Sequence, residues 1–144
     1  MNTTRVDHVI ATEDAQQGLR VLMVMDEPEN LCHHSDLLRA LGCEVVACDS
    51  YSHGLAVLQR EAFDFVAVGQ GGMAFEGKGV VMRSLEIDRN LPVLVMARNS
   101  DMENYLEAMQ LGAVDYLEMP VPSEELMRVL RTHLFYSMGR RHDC

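Results

Sequence analysis

Gly72-Met73-Ala74-Phe75-Glu76-Gly77-Lys78-Gly79 is the stretch of this chain with the plainest capacity for chemistry. Glycines leave backbone N–H groups open to a phosphate and a lysine can neutralise it, so the run nearly spells the phosphate-binding loop GxxxxGK[ST]. Two features count against a nucleotide there. Gly79 stands where a hydroxyl would ligate Mg²⁺, and no other strand ends in the Asp that would assist it. A second candidate, Cys32-His33-His34, suggests a metal, but adjacent residues on a helix point in different directions and cannot jointly ligate one ion. The four cysteines (Cys32, Cys43, Cys48 and Cys144) show no CxxC spacing and read as reduced thiols. A third group, Asp26-Glu27-Pro28-Glu29, brings acids and a proline suited to the first turn of a helix.

The elements around these groups follow from pattern. Phe63-Asp64-Phe65-Val66-Ala67-Val68-Gly69-Gln70-Gly71-Gly72 has an acidic start, an apolar run and a glycine cluster, which predicts a fully buried central strand. Leu19 to Met25, Glu44 to Ala47, Val93 to Ala97 and Asp115 to Leu117 are the other predicted strands. Between them lie predicted helices. The first buries Leu31, Leu37, Leu38 and Leu41 and ends at Gly42, and the second is capped from Asp49 and Ser50 and buries Leu55 and Leu58. The third runs from Val80 to Ile87. The fourth opens on Ser100-Asp101-Met102-Glu103, read as a capping box, and stops at Gly112. The fifth starts at Ser123-Glu124-Glu125, turns Leu126, Val129, Leu130 and Leu134 inward, and is followed by basic Gly139-Arg140-Arg141-His142. Five strands alternating with five helices predict a doubly wound parallel α/β sheet in the order 2-1-3-4-5, the flavodoxin-like three-layer sandwich. Function in such sheets sits at the carboxyl ends of the strands, which gives Gly69 particular weight.

At 144 residues the chain reads as one domain over residues 19–136, with a polar, mobile extension over 1–18 and a tail or linker start over 137–144. A net charge of −10 argues against nucleic-acid binding by this domain alone, since phosphate affinity needs clustered Lys and Arg. No apolar run reaches membrane-span length and the first residues lack a signal-peptide layout, so a cytoplasmic location is expected.

The order of elements resembles the receiver domain of bacterial two-component response regulators, the CheY-like fold, over Leu19 to Leu134. The residues that carry the resemblance are Val21-Leu22-Met23-Val24-Met25-Asp26-Glu27-Pro28-Glu29-Asn30, the Phe63–Gly69 strand, Leu91-Pro92-Val93-Leu94-Val95-Met96-Ala97, and Leu111-Gly112-Ala113-Val114-Asp115-Tyr116-Leu117-Glu118-Met119-Pro120. A receiver of this family takes a phosphoryl group from a kinase onto an Asp that ends its third strand. An acidic pair after the first strand holds Mg²⁺, a Thr or Ser ends the fourth strand, and a Lys precedes Pro after the fifth. A hard cation wants several oxygen ligands, and the hydroxyl and ammonium stabilise the phosphoryl oxygens.

This sequence departs at four of those five positions. Met25 replaces the first acid and leaves Asp26 alone, Gly69 replaces the phosphoacceptor, Ala97 the hydroxyl residue and Met119 the lysine. The losses match in sign, carboxylates and lysine together, and two replacements are Met, which fills irregular apolar space. Asp26, Glu27 and Glu76 are the carboxylates near enough to substitute, with nothing to stabilise an acyl phosphate. The resemblance with its departures implies a degenerate pseudo-receiver that is not an enzyme, with no cofactor and weak or absent Mg²⁺ binding. Its expected partners are other signalling proteins or a second copy, met through the face of the fourth helix, last strand and last helix. Leu106, Met109 and Tyr116 are the candidates on that face, Tyr116 matching an aromatic that family members reorient on phosphorylation; Tyr105 stands where the family carries a small residue. Two alternatives keep the fold, namely a receiver belonging to a larger, for example DNA-binding, regulator and a small apolar ligand among Met25, Gly69, Ala97 and Met119.

Overall fold

Runs rich in β-branched and aliphatic residues make the first four strands, Asp115-Tyr116-Leu117-Glu118 makes the half-buried fifth at the edge, and parallel pairing aligns every carboxyl end on one edge of the sheet. The computed structural model describes residues 18–135. The extension and tail, including Val6, Val9, Ile10, Cys144 and Gly139 to His142, lie outside the described residues. In chain order the elements are β1 (Arg20–Val24), α1 (Pro28–Ala40), β2 (Glu44–Cys48), α2 (Tyr51–Arg60), β3 (Phe65–Gly69), α3 (Lys78–Ile87), β4 (Val93–Ala97), α4 (Met102–Leu111), β5 (Asp115–Glu118) and α5 (Ser123–Leu130). A π-helical turn over Arg131–Phe135 continues α5. The sheet order is β2-β1-β3-β4-β5, as the alternation predicts, and every pairing is parallel.

The pleat sends alternate residues to opposite faces, and both faces are covered. Leu22, Val24, Val66, Val68, Val93 and Val95 pack with residues of α2, α3 and α4. Val21, Met23, Phe65, Ala67, Leu94 and Met96 pack with Leu31 and Leu38 of α1 and Leu126, Val129 and Leu130 of α5. β3 and β4 are buried at every position. At the other edge the Asp64 carboxylate accepts from the Arg20 N–H at 2.9 Å, tying together the starts of β3 and β1.

The helix starts refine the sequence reading. Ser50 caps α2, its hydroxyl accepting from the His53 N–H at 3.2 Å. The cap of α4 is Asp101 rather than Ser100: its carboxylate accepts from the Asn104 N–H at 2.9 Å and from Asn104 Nδ2 at 2.8 Å. Ser100 instead donates to Glu118 at 2.7 Å, so the expected capping box is shifted by one residue. α3 begins at Lys78, two residues before the predicted start. Gly112 ends α4 in the left-handed region at φ 114°, as its place after the periodic run requires.

Candidate functional site at the carboxyl edge of the sheet

Met25 leaves β1 beside the tip of β3 and is buried to 1% exposure. A Cβ built on Gly69 would lie 3.2 Å from Met25 Cγ, 3.5 Å from Met25 Cβ and 3.5 Å from the Tyr51 hydroxyl. The thioether chain and the phenol thus line the direction in which any side chain at position 69 would project. Tyr51, the first residue of α2, donates its hydroxyl to the Gly69 carbonyl at 3.0 Å. Burial pushes its pKa well above the usual tyrosine range, and the Asp26 and Glu76 carboxylates push the same way, so the phenol stays neutral and remains a donor.

The other strand ends complete the site. Ala97 is fully buried at the end of β4, and its carbonyl accepts from the Met119 N–H at 2.7 Å. Met119 packs against the α1–α5 side of the sheet and is joined to Pro120 by a cis peptide bond. Met25 and Gly69 therefore meet directly, and Ala97 and Met119 are joined through the backbone. Asp26 sits exposed at the rim. Its neighbour Glu27 is engaged: its carboxylate meets Arg98, just past β4, at 2.6 Å and accepts from Asn30 Nδ2 at 2.5 Å. A hard cation asks for several oxygen ligands. Among the side chains at the strand ends are thioethers, a methyl and a glycine; of the nearby carboxylates Asp26 is exposed, Glu27 holds a guanidinium and Glu76 accepts from the Gly72 N–H.

The glycine-rich loop is packed onto this site. A Cβ on Gly77 would lie 2.2 Å from the Gly69 carbonyl oxygen, so only glycine lets α3 begin so close to the end of β3. The Glu76 carboxylate folds back to accept from the Gly72 N–H at 2.6 Å, putting a negative charge where a phosphate would need an amide. Lys78 turns away and pairs with Glu107 of α4 at 2.5 Å. The loop's own groups thus compete with a nucleotide.

Gln70, Tyr51 and Arg98 are absent from the candidates that sequence reasoning selected. Gln70 is buried to 2% exposure directly after β3. Its amide donates to the Gly72 carbonyl at 3.2 Å, and its Oε1 accepts from the Tyr116 hydroxyl. That hydroxyl in turn accepts from the Asp101 N–H at 3.3 Å. A polar side chain adjoining an apolar central strand was the available signal, since a buried amide must find partners.

The expected surface face is only partly a surface. Leu106 is exposed, Met109 packs against the core, and Tyr116 is turned inward to 8% exposure, where it meets Tyr105 edge to face at 5.8 Å. Tyr116 is drawn in because its hydroxyl has two partners beneath the surface and its ring has an aromatic neighbour.

His34 is fully buried with both ring nitrogens in use. Nδ1 lies 2.8 Å from the Asn30 carbonyl and Nε2 accepts from the Val121 N–H at 3.0 Å. Cys32 is exposed and donates to Asp36, so the Cys32-His33-His34 run does not converge.

With the fold and the strand-end geometry in place, comparison with known proteins is decisive. Residues 21–131 match the response regulator receiver domain. The chain belongs to that family. Response regulator protein FleR of Pseudomonas aeruginosa is 33% identical over 114 residues, covering 79% of this chain and 24% of FleR. Sensor protein GacS of Pseudomonas syringae pv. syringae is 31% identical over 116 residues, covering 77% of this chain and 13% of GacS. The chain thus spans a quarter or less of these two relatives. Among solved structures, a CheY-like receiver domain from Methanospirillum hungatei JF-1 superposes with a TM-score of 0.77 at 20% identity, covering 85% of this chain and 98% of that one. Among the described residues no helix is long and apolar enough to cross a membrane.

Proposed function

We propose that this receiver domain is a pseudo-receiver. It works without phosphorylation, catalyses nothing, and serves in the cytoplasm as a protein-interaction module of a two-component-type signalling pathway. The observation that carries the reading is the packing at Gly69, where Met25 and the Tyr51 hydroxyl line the space a phosphoacceptor side chain would enter. Ala97 and Met119 offer neither hydroxyl nor ammonium to a phosphoryl group, and the soft or apolar groups around Asp26 favour weak or absent Mg²⁺ binding. A related reading, supported by the fraction of FleR and GacS that the chain matches, is that the same module serves as the regulatory receiver of a longer regulator.

Backbone amide shifts under Mg²⁺, with and without beryllofluoride, test the proposal. The expected result is no saturable shift near Asp26 and Gly69, and no phosphoryl adduct by intact mass after incubation with acetyl phosphate. Saturable shifts that Asp26→Asn abolishes, or stoichiometric labelling, overturn it.

A further inference from the structure

A cleft of about 410 Å³ opens between the start of α4 and the end of β5, away from the packed strand ends at Gly69. Its residues include Tyr105, Tyr116 and Met102 on the apolar side and Asp101 and Glu118 on the charged side. The apolar groups are open to an incoming partner: Met102 is 68% exposed, Tyr105 39%, and Leu106, one turn along the helix from Met102, 48%. Among the described residues no cation lines the cleft beside these carboxylates. Asn104, through its N–H and its side-chain amide, holds the Asp101 carboxyl below the usual range, and Glu118 accepts from the neutral Ser100 hydroxyl. Lys78, Arg98 and Arg128 are each paired with other carboxylates, at Glu107, at Glu27, and at Asp115 and Glu125.

An aromatic face next to two carboxylates suits a desolvated cation, which gains both charge-assisted hydrogen bonds and the ring quadrupole. The flanking Met and Leu suit an apolar side chain, and methionine adapts to several shapes. We propose that this cleft docks a segment of a partner protein carrying an arginine or lysine beside an apolar anchor, with the cation against Tyr105, Asp101 and Glu118. The inference rests on the reading of the chain as an interaction module and supplies the chemistry of its partner. The cleft exists already formed, because Gln70 and the Asp101 N–H hold Tyr116 inward beneath Tyr105. No phosphoryl group takes part in that arrangement. An anionic membrane is repelled by the same carboxylates, and two such clefts placed against each other set like charges together.

Random peptides of about 12 residues displayed on phage, selected on the wild-type chain and counter-selected on the Asp101→Asn, Glu118→Gln double variant, test this. Asn keeps the helix cap while removing the charge. The expected winners share Arg or Lys next to an aliphatic or aromatic residue. A synthetic winner should shift the amides of residues 100–106 and 116–118, and bind the double variant about tenfold more weakly. Tyr105→Ala and Gln70→Leu should also weaken it, the second without touching the cleft wall. Glu44→Gln with Glu124→Gln, which removes two charges elsewhere, should leave affinity within about twofold. Failure to enrich, winners without a cation, shifts elsewhere, equal loss in the distant double variant, or the same amides shifting through self-association overturn the proposal. All of this is read without Mg²⁺ or phosphodonor, so its failure is separate from a failure of the pocket reading.

Discussion

At position 69 the missing side chain and its neighbours form one arrangement. The Gly69 carbonyl accepts the Tyr51 phenol on one side and is approached by the Gly77 backbone on another. Gly77→Ala would place a methyl group 2.2 Å from that oxygen and 3.0 Å from Val68 Cγ2. The oxygen belongs to β3 and cannot retreat without moving the strand, so the overpacking should cost about 1–3 kcal/mol. Gly79→Ala, two residues along and inside α3 with nothing within 4 Å of its Cβ, should instead gain about 0.4–1 kcal/mol. Urea unfolding of the two variants checks both signs, with an unchanged m-value showing that the native packing is what moved. That Gly69 lacks a side chain is plain from the sequence, but why Gly77 must be glycine is not. The second fact depends on how closely α3 is laid against the end of β3, which no local pattern encodes.

Between elements, His34 clasps α1 to the segment leading into α5. Its Nε2 accepts the Val121 N–H, so Nδ1 carries the proton and donates to the Asn30 carbonyl; the ring is neutral in the fold. Burial lowers its pKa below the ordinary value, the nearby His33 adds to that, and the Asn30 contact opposes it. Because the folded pKa lies below the unfolded one, the clasp contributes fully above the unfolded value. Its contribution is lost as pH falls through the folded pKa. Stability should therefore drop on acidification below about pH 6.5, and His34→Gln should reduce that slope by up to about 1.4 kcal/mol per pH unit. At neutral pH the variant should cost about 1–3 kcal/mol for the buried Val121 N–H left without its partner. Denaturant midpoints of both proteins across pH 5 to 7.5 separate this from the titration of carboxylates common to both. Strand identities were legible because hydrophobic runs and glycine breaks are local signals, and their order followed as the usual one for a doubly wound sheet. The His34–Val121 and Gln70–Tyr116 pairings were not, since they join residues 87 and 46 positions apart through single hydrogen bonds. The shift of the α4 cap from Ser100 to Asp101 has a similar origin, as the Ser100 hydroxyl is drawn to Glu118 on the neighbouring strand.

Over the whole molecule, a net charge of −10 makes any added salt stabilising through screening of self-repulsion. A specific magnesium site adds a second, separable effect, because a ligand bound only by the native state stabilises by RT ln(1 + [L]/Kd). At 10 mM Mg²⁺ a site with Kd of about 1 mM would contribute about 1.4 kcal/mol, which for a domain of this size is a shift of several degrees in Tm. The charges near the strand ends point to the first effect alone. Glu27 already faces Arg98 at 2.6 Å, and with both groups more than a third exposed that pair is itself worth little. Asp26 is exposed, and Met25, Gly69 and Met119 bring no side-chain oxygen to share a cation with it. MgCl₂ and NaCl at matched ionic strength should therefore raise Tm equally, within about a degree. A magnesium-specific rise that Asp26→Asn removes would place a cation at this carboxylate and overturn the proposed weak or absent Mg²⁺ binding.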